Sequence, residues 1–141
     1  MQHIHNVFSK LSSLAHIPAH QVSKQLRQLF RENLLGQQVH IRDDLRQTEQ
    51  DYFPSLGLRL DYDLEHQVSF IRLDLNRQTI QALGLSEDLL DVSKCALLQE
   101  YRQEGHAILN LHDSFIGMQD GYGYYFQQQQ LRALSLGPIM H

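Results

Sequence analysis

Residues Asp120 to Gly137 read DGYGYYFQQQQLRALSLG. Aromatic residues cluster around Gly121 and Gly123, a run of glutamines follows, and an apolar alternation closes the stretch. A period of two places Tyr122, Tyr124 and Phe126 on one side of a strand and Tyr125 on the other. Gln127 to Gln130 then reverse the chain, and Leu131 to Leu136 return. The reading is a β-hairpin. A platform for stacked bases would interleave cations among the rings, and no Lys or Arg lies between Ser114 and Gln130, while Asp120 adds negative charge. The glycine spacing is not that of a phosphate loop, and no helix opens behind it.

The same rhythm occurs upstream in LGLRLDYDLEHQVSFIRL, Leu56 to Leu73. Leu56, Leu58, Leu60 and Tyr62 share a side, with Arg59 and Asp61 opposite. The adjacent Phe70 and Ile71 break the return strand's alternation, which requires a bulge or burial on both faces. Laid over the C-terminal hairpin with three residues deleted in the turn, Gly57 meets Gly123, Leu58 meets Tyr124, Leu60 meets Phe126, Val68 meets Leu131 and Leu73 meets Leu136. This is either a tandem duplication or a coincidence between two amphipathic hairpins.

Upstream of each hairpin the apolar period is helical. Ile4, Val7, Phe8, Leu11 and Leu14 form one stripe that Pro18 ends. Val22, Leu26, Leu29 and Phe30 form a second, with Gly36 as its stop. A short strand is predicted at Val39–Arg42, and Asp43–Gln50 reads as an exposed loop. After Asn76 a short helix ends at Gly84. A longer one is predicted from the Ser86 cap to Gly105, with Cys95 inside it as a small buried hydrophobe. Further strands follow at His106–His112 and Ser114–Met118. The fold class is α+β: an N-terminal helical hairpin and a further helix on an antiparallel sheet, in one domain over residues 1–141. Its candidate tandem halves are helix–β-hairpin units at 1–75 and 76–141.

A chain of 141 residues with 42% hydrophobic and 20% charged content can bury a core. Its formal net charge of -4, without a polybasic block, disfavours nucleic acid. No apolar run is long enough to span a bilayer. The absence of a signal-peptide pattern and the lone Cys95 point to a reducing cytoplasm.

The residues that commonly carry chemistry are scattered. His16 and His20 have a helical ligand spacing, but Pro18 stands between them, and His3 and His5 alternate beside the terminus. His112 and Asp113 have no partner pair at zinc-site spacing. Cys95 lacks the cationic setting of a reactive thiolate, and no nucleophile-elbow motif occurs. Acidic pairs such as Asp43/Asp44 and Asp61/Asp63 fall in predicted loops or strands. The expectation is therefore no catalytic residue, no cofactor and no metal.

The two hairpins, GLRLDYD…VSFIRL and its C-terminal counterpart, resemble small bacterial immunity proteins of bacteriocin and polymorphic-toxin systems. The helix–hairpin duplication also resembles the architecture of β-lactamase inhibitory proteins, without their disulfides and secretion signal. The resemblance implies a non-catalytic inhibitor that binds a cognate toxin as a monomer or homodimer. The expected contact residues are Asp43, Asp44, Glu49, Asp51 and Tyr52 in the long loop, and Asp120, Tyr122 and Tyr125 near the last hairpin. Aromatics anchor interfaces, and acidic groups complement basic catalytic clefts. The alternatives are a small acidic secretion chaperone, whose partner would be a secreted client, and a small enzyme with a pocket near His112, Asp113, Tyr122 and Tyr125.

Overall fold

The computed structural model describes residues 2–30 and 36–138. Helix α1 (Gln2–Ser12) buries Ile4, Val7, Phe8 and Leu11 along one stripe. A 3-10 turn (Ala19–Gln21) leads into α2 (Val22–Leu29), which buries Val22 and Leu26. Phe30 is extended, with φ -115° and ψ 154°, so α2 stops there and not at Gly36; residues 31–35 lie outside the described residues. Four strands follow in a meander: β1 (Val39–Asp43), β2 (Thr48–Phe53), β3 (Leu58–Tyr62) and β4 (Val68–Asp74). The predicted loop Asp43–Gln50 is thus mostly a hairpin, its residues from Thr48 onward lying in β2.

Asn76 opens the next unit. Its side chain accepts a 2.9 Å hydrogen bond from the Thr79 amide and caps α3 (Arg77–Leu83), which ends at the left-handed Gly84. The single helix expected from Ser86 to Gly105 is divided. Ser86 caps a 3-10 turn over Glu87–Asp91, and Ser93 caps α4 (Lys94–Glu104). Between them, the Val92 carbonyl accepts from the Leu131 amide at 2.9 Å and Ser93 bridges to Gln130. Sheet pairing claims these two residues and breaks the helix. Cys95 sits in the first turn of α4 and is exposed, contrary to its expected burial. A second meander closes the chain: β5 (Ile108–His112), β6 (Phe115–Met118), β7 (Tyr122–Gln127) and β8 (Gln130–Leu136).

The meanders join through β4 and β8 into one antiparallel eight-stranded sheet, ordered β1-β2-β3-β4-β8-β7-β6-β5. Their registers define the relation between the halves. Leu58, Leu60 and Tyr62 oppose Leu73, Ile71 and Val68, with a bulge between Asp61 and Tyr62. Tyr122, Tyr124 and Phe126 oppose Leu136, Leu134 and Leu131, with a bulge at the matching step between Tyr125 and Phe126. At the junction Ile71 faces Leu136 while Leu73 faces Leu134. Exchanging the halves therefore maps the junction onto itself, an isologous pairing about an axis beside Arg72 and Ser135. The connections before α2 and α4 obey the same exchange. Val68 and Leu131 donate to the carbonyls of Ile17 and Val92, and Ala19 and Lys94 donate to those of His66 and Gln129.

The halves are two-helix, four-strand units, one strand pair larger than the sequence reading. The glycine-based alignment is also out of step. Leu58 corresponds to Tyr122, two residues before Tyr124, whereas Val68 with Leu131 and Leu73 with Leu136 stand. The two glycines do different work. Gly57 has φ +61° ahead of β3. Gly123 lies within β7, where the Phe115 ring and the Ser135 hydroxyl occupy the space of a side chain.

One face of the sheet carries the core. Leu58, Leu60, Ile71, Leu73, Ile116, Tyr124, Leu131 and Leu134 pack with Phe8, Leu11, Leu26, Ile80 and Leu97 from the helices. Phe8 stacks on Tyr122 at 3.9 Å and meets Tyr124 edge-on at 5.6 Å. The turn between β7 and β8 has Gln128 and Gln129 at its tip, with φ 52° and 66°, as a tight primed hairpin turn demands.

Two stability changes follow. A methyl group at position 123 would stand 3.0 Å from the Phe115 ring and inside contact distance of Ser135 Oγ, so Gly123→Ala should destabilise by about 1–3 kcal/mol in urea unfolding. Conversely, Gln128→Asn with Gln129→Gly places the preferred residues in left-handed geometry and should stabilise by roughly 0.5–1 kcal/mol.

Candidate partner-binding face

Residues directly opposed on neighbouring strands lie on the same face. The face away from the core is crossed by one continuous row: Val39, Tyr52, Arg59, Arg72, Ser135, Gly123, Gly117 and Asn110. Beside it, Ile41, Gln50, Asp61 and Phe70 align in the first half. Asp74, Ala133, Tyr125, Phe115 and His112 align across the junction and the second half. Tyr52, Phe70, Phe115 and Tyr125 are only half-buried, and none belongs to the core cluster.

Arginine and aromatic side chains interlock on this face. Arg59 lies over the Phe70 ring at 5.3 Å and Arg72 over the Tyr125 ring at 4.2 Å. Arg59 and Arg72 are directly opposed, a repulsive arrangement. Each is countered by the carboxylate two residues on, Asp61 at 3.3 Å and Asp74 at 3.5 Å. Burial raises the ionisation point of Asp61, and Arg59 pulls it back. In the second half Phe115 packs on Tyr125 at 4.8 Å and covers the backbone of Gly117 and Gly123, an aromatic ring standing in for missing side chains. The face there forms a cleft of about 590 Å³.

The expected contact residues divide. Tyr52 and Tyr125 lie on the open face, Tyr125 opposite its aromatic neighbours as its alternation predicts. Asp43 and Asp44 occupy the β1–β2 turn, where Asp43 Oδ1 accepts from the Leu45 and Arg46 amides and Asp44 accepts from Arg42 Nε at 2.8 Å. Glu49 is in β2, between His66 at 3.1 Å and His40 at 3.5 Å. Asp51 does not belong to an exposed loop: it is 3% exposed, accepts from the Tyr62 hydroxyl and lies 2.8 Å from His40 Nδ1. A buried carboxylate so engaged anchors β1, β2 and β3 and presents nothing to a partner. Tyr122 also turns inward, against Phe8. Asp120 is exposed and accepts from the Tyr122 amide at 3.0 Å.

His112 and Tyr125 share the open face, and Tyr122, stacked on Phe8 at the start of β7, borders the same cleft as Tyr125, which neither His112 nor Asp113 lines. Among the described residues no group of three His, Cys, Asp or Glu is arranged to hold a metal ion, and no helix is long and apolar enough to cross a membrane. Sequence reasoning placed Arg59 opposite the buried stripe but did not single out Arg59, Arg72, Phe70 or Phe115 as contact residues. A legible signal existed: Arg-Leu-Asp occurs at 59–61 and again at 72–74. Comparison with family models, curated proteins and solved structures found no match to this chain.

The strongly shifted groups are phenols in or against the core. Tyr101 and Tyr124 share a hydrogen bond of 2.6 Å. Burial pushes the Tyr101 hydroxyl from 10.0 up to about 12. Burial likewise raises Tyr124, reinforced by its bond to Tyr101, and Tyr62, reinforced by Asp51. A raised phenol favours the folded state fully below the unfolded value of 10.0 and loses that contribution as pH climbs through the folded value of about 12. Urea-unfolding stability should therefore fall steeply between those pH values, with tyrosinate absorbance appearing in step with unfolding. Stability flat to pH 12 would contradict it.

Proposed function

We propose that this chain is a non-catalytic binding protein of the immunity type, which neutralises a bacterial protein toxin by docking on it through the open face of the sheet. The observation that carries the reading is the uncovered row of Tyr52, Arg59 and Arg72 with Phe70, Phe115 and Tyr125 beside it. Tyrosine and arginine are the residue types that dominate binding energy at protein interfaces. Here they are already held by stacking and i+2 ion pairs, which lowers the entropy lost on docking. The rim supports a basic partner. Asp43, Asp44, Glu49 and Asp63 outnumber Arg42 and His66 around a dent of about 260 Å³ between the β1–β2 and β3–β4 turns, and the net charge is -4. Such a rim steers a cationic enzyme surface toward the sheet.

The test pairs the chain with the product of the gene beside its own. The neighbour should arrest growth when expressed alone, and the purified pair should form a one-to-one complex by light scattering. Combining Arg72→Glu with Tyr125→Ala should weaken that complex by roughly thirtyfold or more without changing the circular dichroism spectrum. A harmless neighbour would overturn the toxin reading, and undiminished binding by the double variant would overturn the choice of face.

A further inference from the structure

The cleft in the second half of the open face has a composition unlike the rest of that face. Phe70, Phe115, Tyr122 and Tyr125 contribute its rings, Asn110 and Gln119 contribute amides, and Asp120 stands at its edge. Among the described residues, Asp120 is the only charged one that lines it. Arg72, over Tyr125, has its charge met by Asp74 at 3.5 Å. Aromatic walls with a carboxylate at the mouth suit a long side chain with an apolar stem and a cationic tip, because the rings take the stem and attract the cation while the carboxylate pairs with it.

We infer that this cleft is the subsite for one basic side chain, arginine or lysine, presented by the protein partner. The inference rests on the docking reading above and specifies the chemistry that the partner brings to the sheet. The cleft's volume of about 590 Å³ exceeds what one such side chain fills, so the basic residue enters with its neighbours at the centre of the contact and not at its rim. Asp120 can hold the guanidinium or ammonium group while its Oδ1 keeps the Tyr122 amide.

The chain alone suffices for the test. Nitrogen-15 labelled protein is titrated separately with N-acetyl-arginine amide, N-acetyl-lysine amide and N-acetyl-leucine amide. The two basic probes should bind weakly and shift the amides of Gly117, Gly121 and Gly123, and the leucine probe should not. Asp120→Asn retains an oxygen for the Tyr122 amide and removes only the charge, and it should weaken the basic probes by roughly tenfold. Raised salt should act in the same direction. Equal shifts from the leucine probe, no shift from any probe, or unchanged affinity in Asp120→Asn would each overturn the subsite. Micromolar retention of the free arginine probe would make the cleft a small-molecule receptor and overturn its assignment to a partner's side chain. The docking face itself stands or falls separately, on the Arg72 and Tyr125 variants.

Discussion

The architecture depends on the pairing of β4 with β8. Each meander is a ribbon of four strands with a single apolar face, and neither end of the chain's order brings them together except at this junction. Ile71 against Leu136 and Leu73 against Leu134 put apolar side chains from both halves on the same side, so all the helices can cover one continuous core. A slip of one residue here would turn the inner side chains of one half outward. The shared bulges hold the register from both sides, because each gives β4 or β8 one extra residue at a fixed distance from the junction.

Around that junction the halves differ in opposite directions. On the core side the first half buries a polar anchor, Asp51 with Tyr62 and His40, at a level where the second has Ile116 and Leu111. On the open side the first half presents Arg59 and Asp61, where the second has Gly123 nearby and Tyr125. The strand pairing is shared while the surface chemistry divides into a charged wing and an aromatic wing. Phe115 is the hinge of that division. Its ring shields the glycine backbone and simultaneously walls the cleft, so the packing of the sheet and the shape of the candidate site are set by the same side chain.

Much of the fold was legible because it is written in period. The stripe Ile4, Val7, Phe8, Leu11 and the alternation Leu58, Leu60, Tyr62 each state which side is buried, and the structure agrees. The broken alternation at Phe70–Ile71 left a bulge or burial on both faces open, and the β3–β4 register has the bulge. What failed was whatever depended on long-range hydrogen bonding. Nothing local distinguishes Glu49–Tyr52 as strand from loop, since their burial comes from β3 and the β3–β4 turn. Ser86 to Gly105 has a helical composition, and only Leu131 and Gln130, remote in sequence, draw Val92 and Ser93 out of it. The candidate site was less legible still. Its tyrosines were visible as residues, but the stacking of Arg59 on Phe70 and Arg72 on Tyr125 exists only once the registers are set.

The outer strand β5 carries one further consequence. Its register shifts between Ile108 and Asn110, leaving Leu109 as an extra residue, and Leu109 and Leu111 are exposed at 68% and 45%. An apolar border strand with free backbone groups is an open template on which other chains can polymerise. The kink at Leu109 spoils that template by interrupting the even spacing of donors and acceptors. The irregularity that makes this strand look poorly formed therefore guards this edge of the sheet, and straightening it by deleting Leu109 would turn it into one that other chains can extend.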